Sequence, residues 1–134
     1  MKSKRTKSKS GFTEPTNAEL EILQVLWKYG PSTVRFVNEK LNEHKPVKYT
    51  STLKQMQIMA DKSILDRDVS KMTHIYHILE EEEKTKSFLL NRFVDRIYSG
   101  SAGKLIMQLL GDDKASKEDI EKIKKMLDEM ESDQ

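Results

Sequence analysis

The side chains best suited to recognise another molecule lie between residues 49 and 74. At about 100° per residue, Ser51, Lys54, Gln55, Ile58 and Lys62 share one side of a helix that starts at Tyr49 or Thr50. Leu53, Met56, Gln57 and Ala60 take the other side, with Thr52 and Met59 on its flank. The outer set is polar and short-chained in its first half. The Thr50 and Ser51 hydroxyls can bond base edges or phosphates, Gln55 can pair bidentately with adenine, and Lys54 can reach guanine or a phosphate. A solvated helix face has a similar composition, so the reading depends on what positions the helix. Farther on, Arg67, Lys71 and His74 are candidate phosphate contacts. Arg67, set between Asp66 and Asp68, is equally able to form a local ion pair.

Other chemistry is poorly served. The histidines are His44, His74 and His77. On a strand, His74 and His77 face opposite sides and cannot share a metal as helical pairs four apart do. Cysteine is absent, which removes disulfides, thiolate zinc sites, iron–sulfur clusters and a cysteine nucleophile. No glycine-rich phosphate loop or activated-serine motif is present. No catalytic residue, metal or cofactor is expected. The run Glu80 to Glu83 reads as an acidic helix start that suits the helix dipole.

Three helices and a ribbon must position the recognition residues. Thr16-Asn17-Ala18-Glu19 fits a capping box, and Leu20, Leu23 and Trp27, beside Ile22 and Leu26, give one apolar face ending at Tyr29-Gly30-Pro31. Ser32 is placed to cap a second helix bearing Val34, Val37 and Leu41, which frays from Asn42 to Pro46. The third helix ends near Lys62. After Ser63 the period changes: Ile64 to Val69, a polar turn at Ser70-Lys71-Met72, then Thr73 to Leu79, β-branched and aromatic, form a hairpin. The fold class is therefore mostly α, a winged helix-turn-helix over residues 13–79. Such a unit lays its second helix-turn-helix element, here the third helix, in the major groove of DNA.

Residues 80–134 are helical again. Phe88 or Leu89, then Leu90, Phe93, Val94 and Ile97 line a helix ending at Ser99-Gly100. Ser101 caps a short helix with Leu105, Ile106, Leu109 and Leu110, closed by Gly111. Ser116 with Asp119 caps a last one carrying Ile120, Ile123, Leu127 and Met130. Three thin apolar stripes in about 50 residues cannot enclose a stable core. A second copy of the chain, burying the stripes against its own, makes this a dimerisation region.

Composition agrees with that division. Of 134 residues 34% are charged and 36% hydrophobic, so the core is lean. The net charge of +2 hides an asymmetry: residues 1–78 carry 14 Lys/Arg against 8 Asp/Glu, and residues 79–134 carry 10 against 14. Lys2, Lys4, Arg5, Lys7 and Lys9 supply most of the excess from a tail, residues 1–12, expected to be disordered. That tail either tracks phosphates or touches nothing. No apolar run approaches the roughly 20 residues of a membrane span, and none follows the basic start as in a secretory signal. A cytoplasmic protein without a membrane partner is expected.

The stretch Thr16-Asn17-Ala18-Glu19-Leu20-Glu21-Ile22-Leu23-Gln24-Val25-Leu26-Trp27, with Gly30-Pro31-Ser32-Thr33-Val34, resembles the opening of the penicillinase-repressor family. These are bacterial winged-helix repressors of β-lactamase and methicillin-resistance genes, with a copper-responsive branch. The third helix, Tyr49-Thr50-Ser51-Thr52-Leu53 to Lys62, and Tyr76 match as well, and the resemblance spans about residues 13–134. It implies a homodimeric repressor, joined through its C-terminal helices, on a palindromic double-stranded DNA operator. The contacts would fall at Thr50, Ser51, Lys54 and Ile58. It also implies, for antibiotic-regulated members, a membrane sensor-protease pathway leading to a cut that would lie at Gln108-Leu109. The chain departs from the family pattern in several places. Gln108-Leu109 stands in place of Asn-Phe, Lys71-Met72 in place of Gly-Arg in the wing, and Ile58 in place of an Arg found in some relatives. Ser63 replaces the usual glycine, which predicts a strained helix end, and the copper branch's cysteine pairs are missing.

The reading is a sequence-specific, homodimeric transcriptional repressor without enzymatic activity. Two rivals are a winged-helix module that docks a protein on its third helix, and an oligomerisation module whose working end is the C-terminal region.

Overall fold

In the computed structural model, which describes residues 12–133, helix α1 (Asn17–Tyr29) starts at the expected capping box. The Thr16 hydroxyl accepts from the Glu19 amide at 3.2 Å, and the Glu19 carboxylate accepts from the Thr16 amide at 3.0 Å. The helix stops at Gly30, whose φ of +85° suits glycine. Helix α2 (Val34–Asn42) is capped by Thr33, not by Ser32: the Thr33 hydroxyl accepts from the Phe36 amide at 3.1 Å. Ser32 is taken up elsewhere. Its amide donates to the Tyr76 carbonyl at 3.0 Å, and its carbonyl accepts from the Tyr76 amide at 2.8 Å.

Helix α3 (Tyr49–Asp61) ends in a turn that requires a left-handed residue. The Ser63 amide donates to the Ala60 carbonyl and the Ile64 amide to the Met59 carbonyl, the paired bonds of a Schellman ending. Ser63 sits at φ +63°. The strain expected from its replacement of glycine is thus present, at about 1–2 kcal/mol.

Strands β1 (Leu65–Asp68) and β2 (Ile75–Ile78) pair antiparallel, Leu65 opposite Ile78 and Arg67 opposite Tyr76. The ribbon is shorter than the sequence pattern implied: the Asp68 carboxylate accepts from the Ser70 amide, which starts the turn directly after β1. With Ser32 bridged to its other edge, β2 becomes the middle of three extended segments. Ile22, Leu23, Leu26, Val34, Val37, Leu41, Met56, Met59, Ile64, Leu65 and Tyr76 form one buried core.

The chain divides into two compact units, Met1–Lys86 and Ser87–Gln134. The division falls inside α4 (Glu82–Ile97), beyond the boundary expected at Leu79. The first turn of α4 belongs with the winged unit, since Thr85 is buried and the Lys86 ammonium lies 5.3 Å from the Trp27 ring. The tail, except Phe12, falls outside the described residues.

The second unit holds the rest of α4, α5 (Ala102–Gly111) and α6 (Lys117–Ser132). Ser101 and Ser116 cap their helices as expected. Gly111 does not close α5. It remains helical, and Asp113 takes the left-handed position at φ +60°. Of the described residues in this unit only Val94 is a buried hydrophobic.

Candidate nucleic-acid interface

Buried Thr52, Met56 and Met59 set the inward line of α3. That line is rotated from the expected one, and a hydrogen bond explains why. The Asn38 side chain, on α2, donates to the Thr52 hydroxyl at 2.9 Å, so a polar residue can turn inward at little cost. Thr50, Ser51, Lys54 and Gln57 are exposed, and Gln55 and Ile58 are half-buried. Apolar periodicity alone places Gln57 inward. Its exposure follows once Thr52 is counted as a core residue.

The start of α3 is pinned from α2. The Asn38 and Asn42 side-chain amides donate to the Val47 carbonyl at 3.0 and 2.9 Å, while the Asn42 side-chain oxygen accepts from the Val47 backbone amide at 3.1 Å. These bonds fix the backbone two residues before Tyr49, which is exposed. At the other end Lys62 is not directed outward. Its ammonium donates to the Glu19 carboxylate at 2.8 Å, and that carboxylate is 2% exposed. The pair joins the start of α1 to the end of α3. A buried acid without its cation would be costly, so the charge of Lys62 serves the fold.

In the wing, Arg67, Lys71 and His74 are all exposed. Arg67 forms no ion pair among the described residues, because its acidic neighbours are turned onto backbone amides. Hydrogen bonds from the Ser70 side chain, then its amide, hold the Asp68 carboxyl below its ordinary range. His74 precedes β2, so its side follows from the turn rather than from strand alternation. Val69 and Met72 are exposed apolar residues at the tip.

In the second unit Phe93, Ile97, Ile106, Leu109, Leu110, Leu127 and Met130 are exposed, and Leu89, Leu105, Ile120 and Ile123 are half-buried. Leu90, Met107 and Met126 add to this apolar surface. Gln108 lies in mid-α5, where its side chain accepts from the Tyr98 hydroxyl at 3.0 Å. Among the described residues no three His, Cys, Asp or Glu gather as a metal site, and no helix is long and apolar enough to cross a membrane.

The sequence profile described as Penicillinase repressor matches residues 15–129. The methicillin resistance regulatory protein MecI of Staphylococcus aureus (strain N315) is 20% identical over 114 residues, covering 85% of this chain and 93% of that protein. MecI of Staphylococcus epidermidis matches to the same extent.

Proposed function

This chain belongs to the penicillinase repressor family, and on that premise we propose a cytoplasmic homodimer that represses transcription from a palindromic operator. Each copy lays α3 in one major groove, with the half-sites about one helical turn, roughly 34–36 Å, apart. Thr50, Ser51 and Gln57 read base edges from the exposed side while Lys54 reaches a phosphate, with Gln55 and Ile58 at its margins. Ile58 offers only an apolar surface, suited to a thymine methyl. Arg67, Lys71 and His74 supply phosphate contacts from the wing. The single observation that carries this reading is the exposed polar face of α3, held at its start by Asn38 and Asn42 and followed directly by a wing on which Arg67, Lys71 and His74 are exposed.

The second copy covers the apolar stripes of α4 to α6, which make the unit from Ser87 onward the dimerisation domain. Linking two reading heads raises avidity by about 10²-fold or more. A cut at Gln108–Leu109 in α5, delivered by a sensor-protease pathway, would therefore release the DNA while leaving the winged unit folded.

Selection of bound duplexes from a random pool tests the reading. The full chain should enrich a palindrome, and the Thr50→Ala/Lys54→Ala double variant should not. A chain that enriches no sequence, or whose binding is insensitive to salt, is a protein-docking module instead.

A further inference from the structure

A cleft of about 410 Å³ opens between α1 and the turn joining α2 to α3, and it shares no residue with the DNA-reading set above. Val25, Leu41 and Val47 give it an apolar lining, and Tyr29 an aromatic one. Five charged side chains also line it: Lys28, Lys40 and Lys45 against Glu21 and Glu43. Four of these cancel in pairs, Lys45 with Glu21 at 3.5 Å and Lys40 with Glu43 at 3.2 Å. Lys28 forms no ion pair among the described residues, so one positive charge is left over. Lys28 and Lys40 also converge on one ring, their ammonium groups 5.4 and 4.8 Å from the Tyr29 centroid. A concave site of this size, with an apolar strip set beside charged side chains, can seat a small molecule that is itself part apolar and part charged.

We propose that this cleft binds a small organic anion, an alkyl or aryl carboxylate, and that its occupancy weakens operator binding. The apolar body lies against Val25, Leu41 and Val47, and the carboxylate answers the unbalanced charge of Lys28. The link to DNA runs through residue 47. Val47 lines the cleft, and its backbone is the group that Asn38 and Asn42 hold just before α3. A ligand that fits best with the turn shifted from α1 also shifts Thr50 and Ser51. By reciprocity, operator DNA then weakens the ligand to the same degree.

The binding half stands without DNA, whereas the regulatory half rests on the operator reading. Amide spectra of the DNA-free full chain are titrated with benzoate to about 10 mM, with benzyl alcohol as the uncharged control. Benzoate should give saturable shifts at Tyr29, Leu41, His44 and Val47, benzyl alcohol much weaker ones, and Lys28→Glu should reduce benzoate affinity about tenfold. No saturable shift, or equal responses to the two compounds, overturns the site. With the enriched palindrome in hand, saturating benzoate should lower operator affinity roughly tenfold. Unchanged operator affinity overturns the regulatory half alone. Failure to find any operator removes the DNA reading and leaves the benzoate titration to decide the site.

Discussion

The winged unit and the C-terminal helices use similar apolar residues in opposite ways. In the first, side chains from α1, α2, α3 and both strands close over one another, and Val37, Met56 and Met59 are fully buried. In the second, α5 and α6 contain no buried residue at all, and Ile97 and Leu127 remain 60% and 53% exposed. The caps are equally well formed in both, with Thr16 and Glu19 at α1 mirrored by Ser116 and Asp119 at α6. Local helix signals therefore do not distinguish the units. What differs is whether one chain supplies both sides of each apolar contact.

Core truncation should separate the two most sharply. Leu23→Ala leaves a cavity among α1, α3 and the strands and should cost about 3 kcal/mol, at every protein concentration, in thermal melts. Leu127→Lys should leave melting of the winged unit unchanged. It should abolish the dimer in sedimentation and lower operator affinity about 10²-fold. A variant that stays dimeric would break the comparison. A fragment ending at Lys86 should keep the winged fold by circular dichroism and show the same loss of affinity.

Smaller effects sharpen the account of the reading head. Lys54→Ala should weaken operator binding by about 1 kcal/mol and reduce the salt slope by about one. The same change in a protein-docking module would leave the slope flat. Ser63→Gly relieves the left-handed serine and should raise stability by up to about 1 kcal/mol. The least effect is at the wing tip. Because the Asp68 carboxyl is held below its ordinary value, its contribution is complete above the unfolded-state value and disappears as pH falls through the lowered one. Asp68→Asn should remove that acid-side dependence from the Ser70 amide shift.

Much of this was legible in the sequence, and the misses share a cause. The capping boxes and the hairpin follow from short-range chemistry that a window of a few residues contains, whereas the strained Ser63 follows from the resemblance to a family with glycine at that place. Ser32 and Lys62 depart from their expected places, and Thr52 moves from the flank of α3 into the core, because long-range partners decide each of them. Ser32 is drawn to Tyr76, Thr52 is satisfied by Asn38, and Lys62 is held by Glu19 across 43 positions of chain. Periodicity assigned Gln57 inward for the same reason. The basic wing residues are legible by type, but that Arg67 forms no ion pair among the described residues depends on Asp66 and Asp68 accepting from nearby backbone amides.

Trp27 is the one tryptophan in the sequence. Its indole nitrogen is buried without a hydrogen-bond partner among the described residues, and the Lys86 ammonium sits over its ring. The chain thus carries a single indole fluorophore beside the first turn of α4. Undocking of that turn would admit water to the indole and move its emission to longer wavelength. Events at this turn can therefore be followed by light, with no dye attached and no residue replaced.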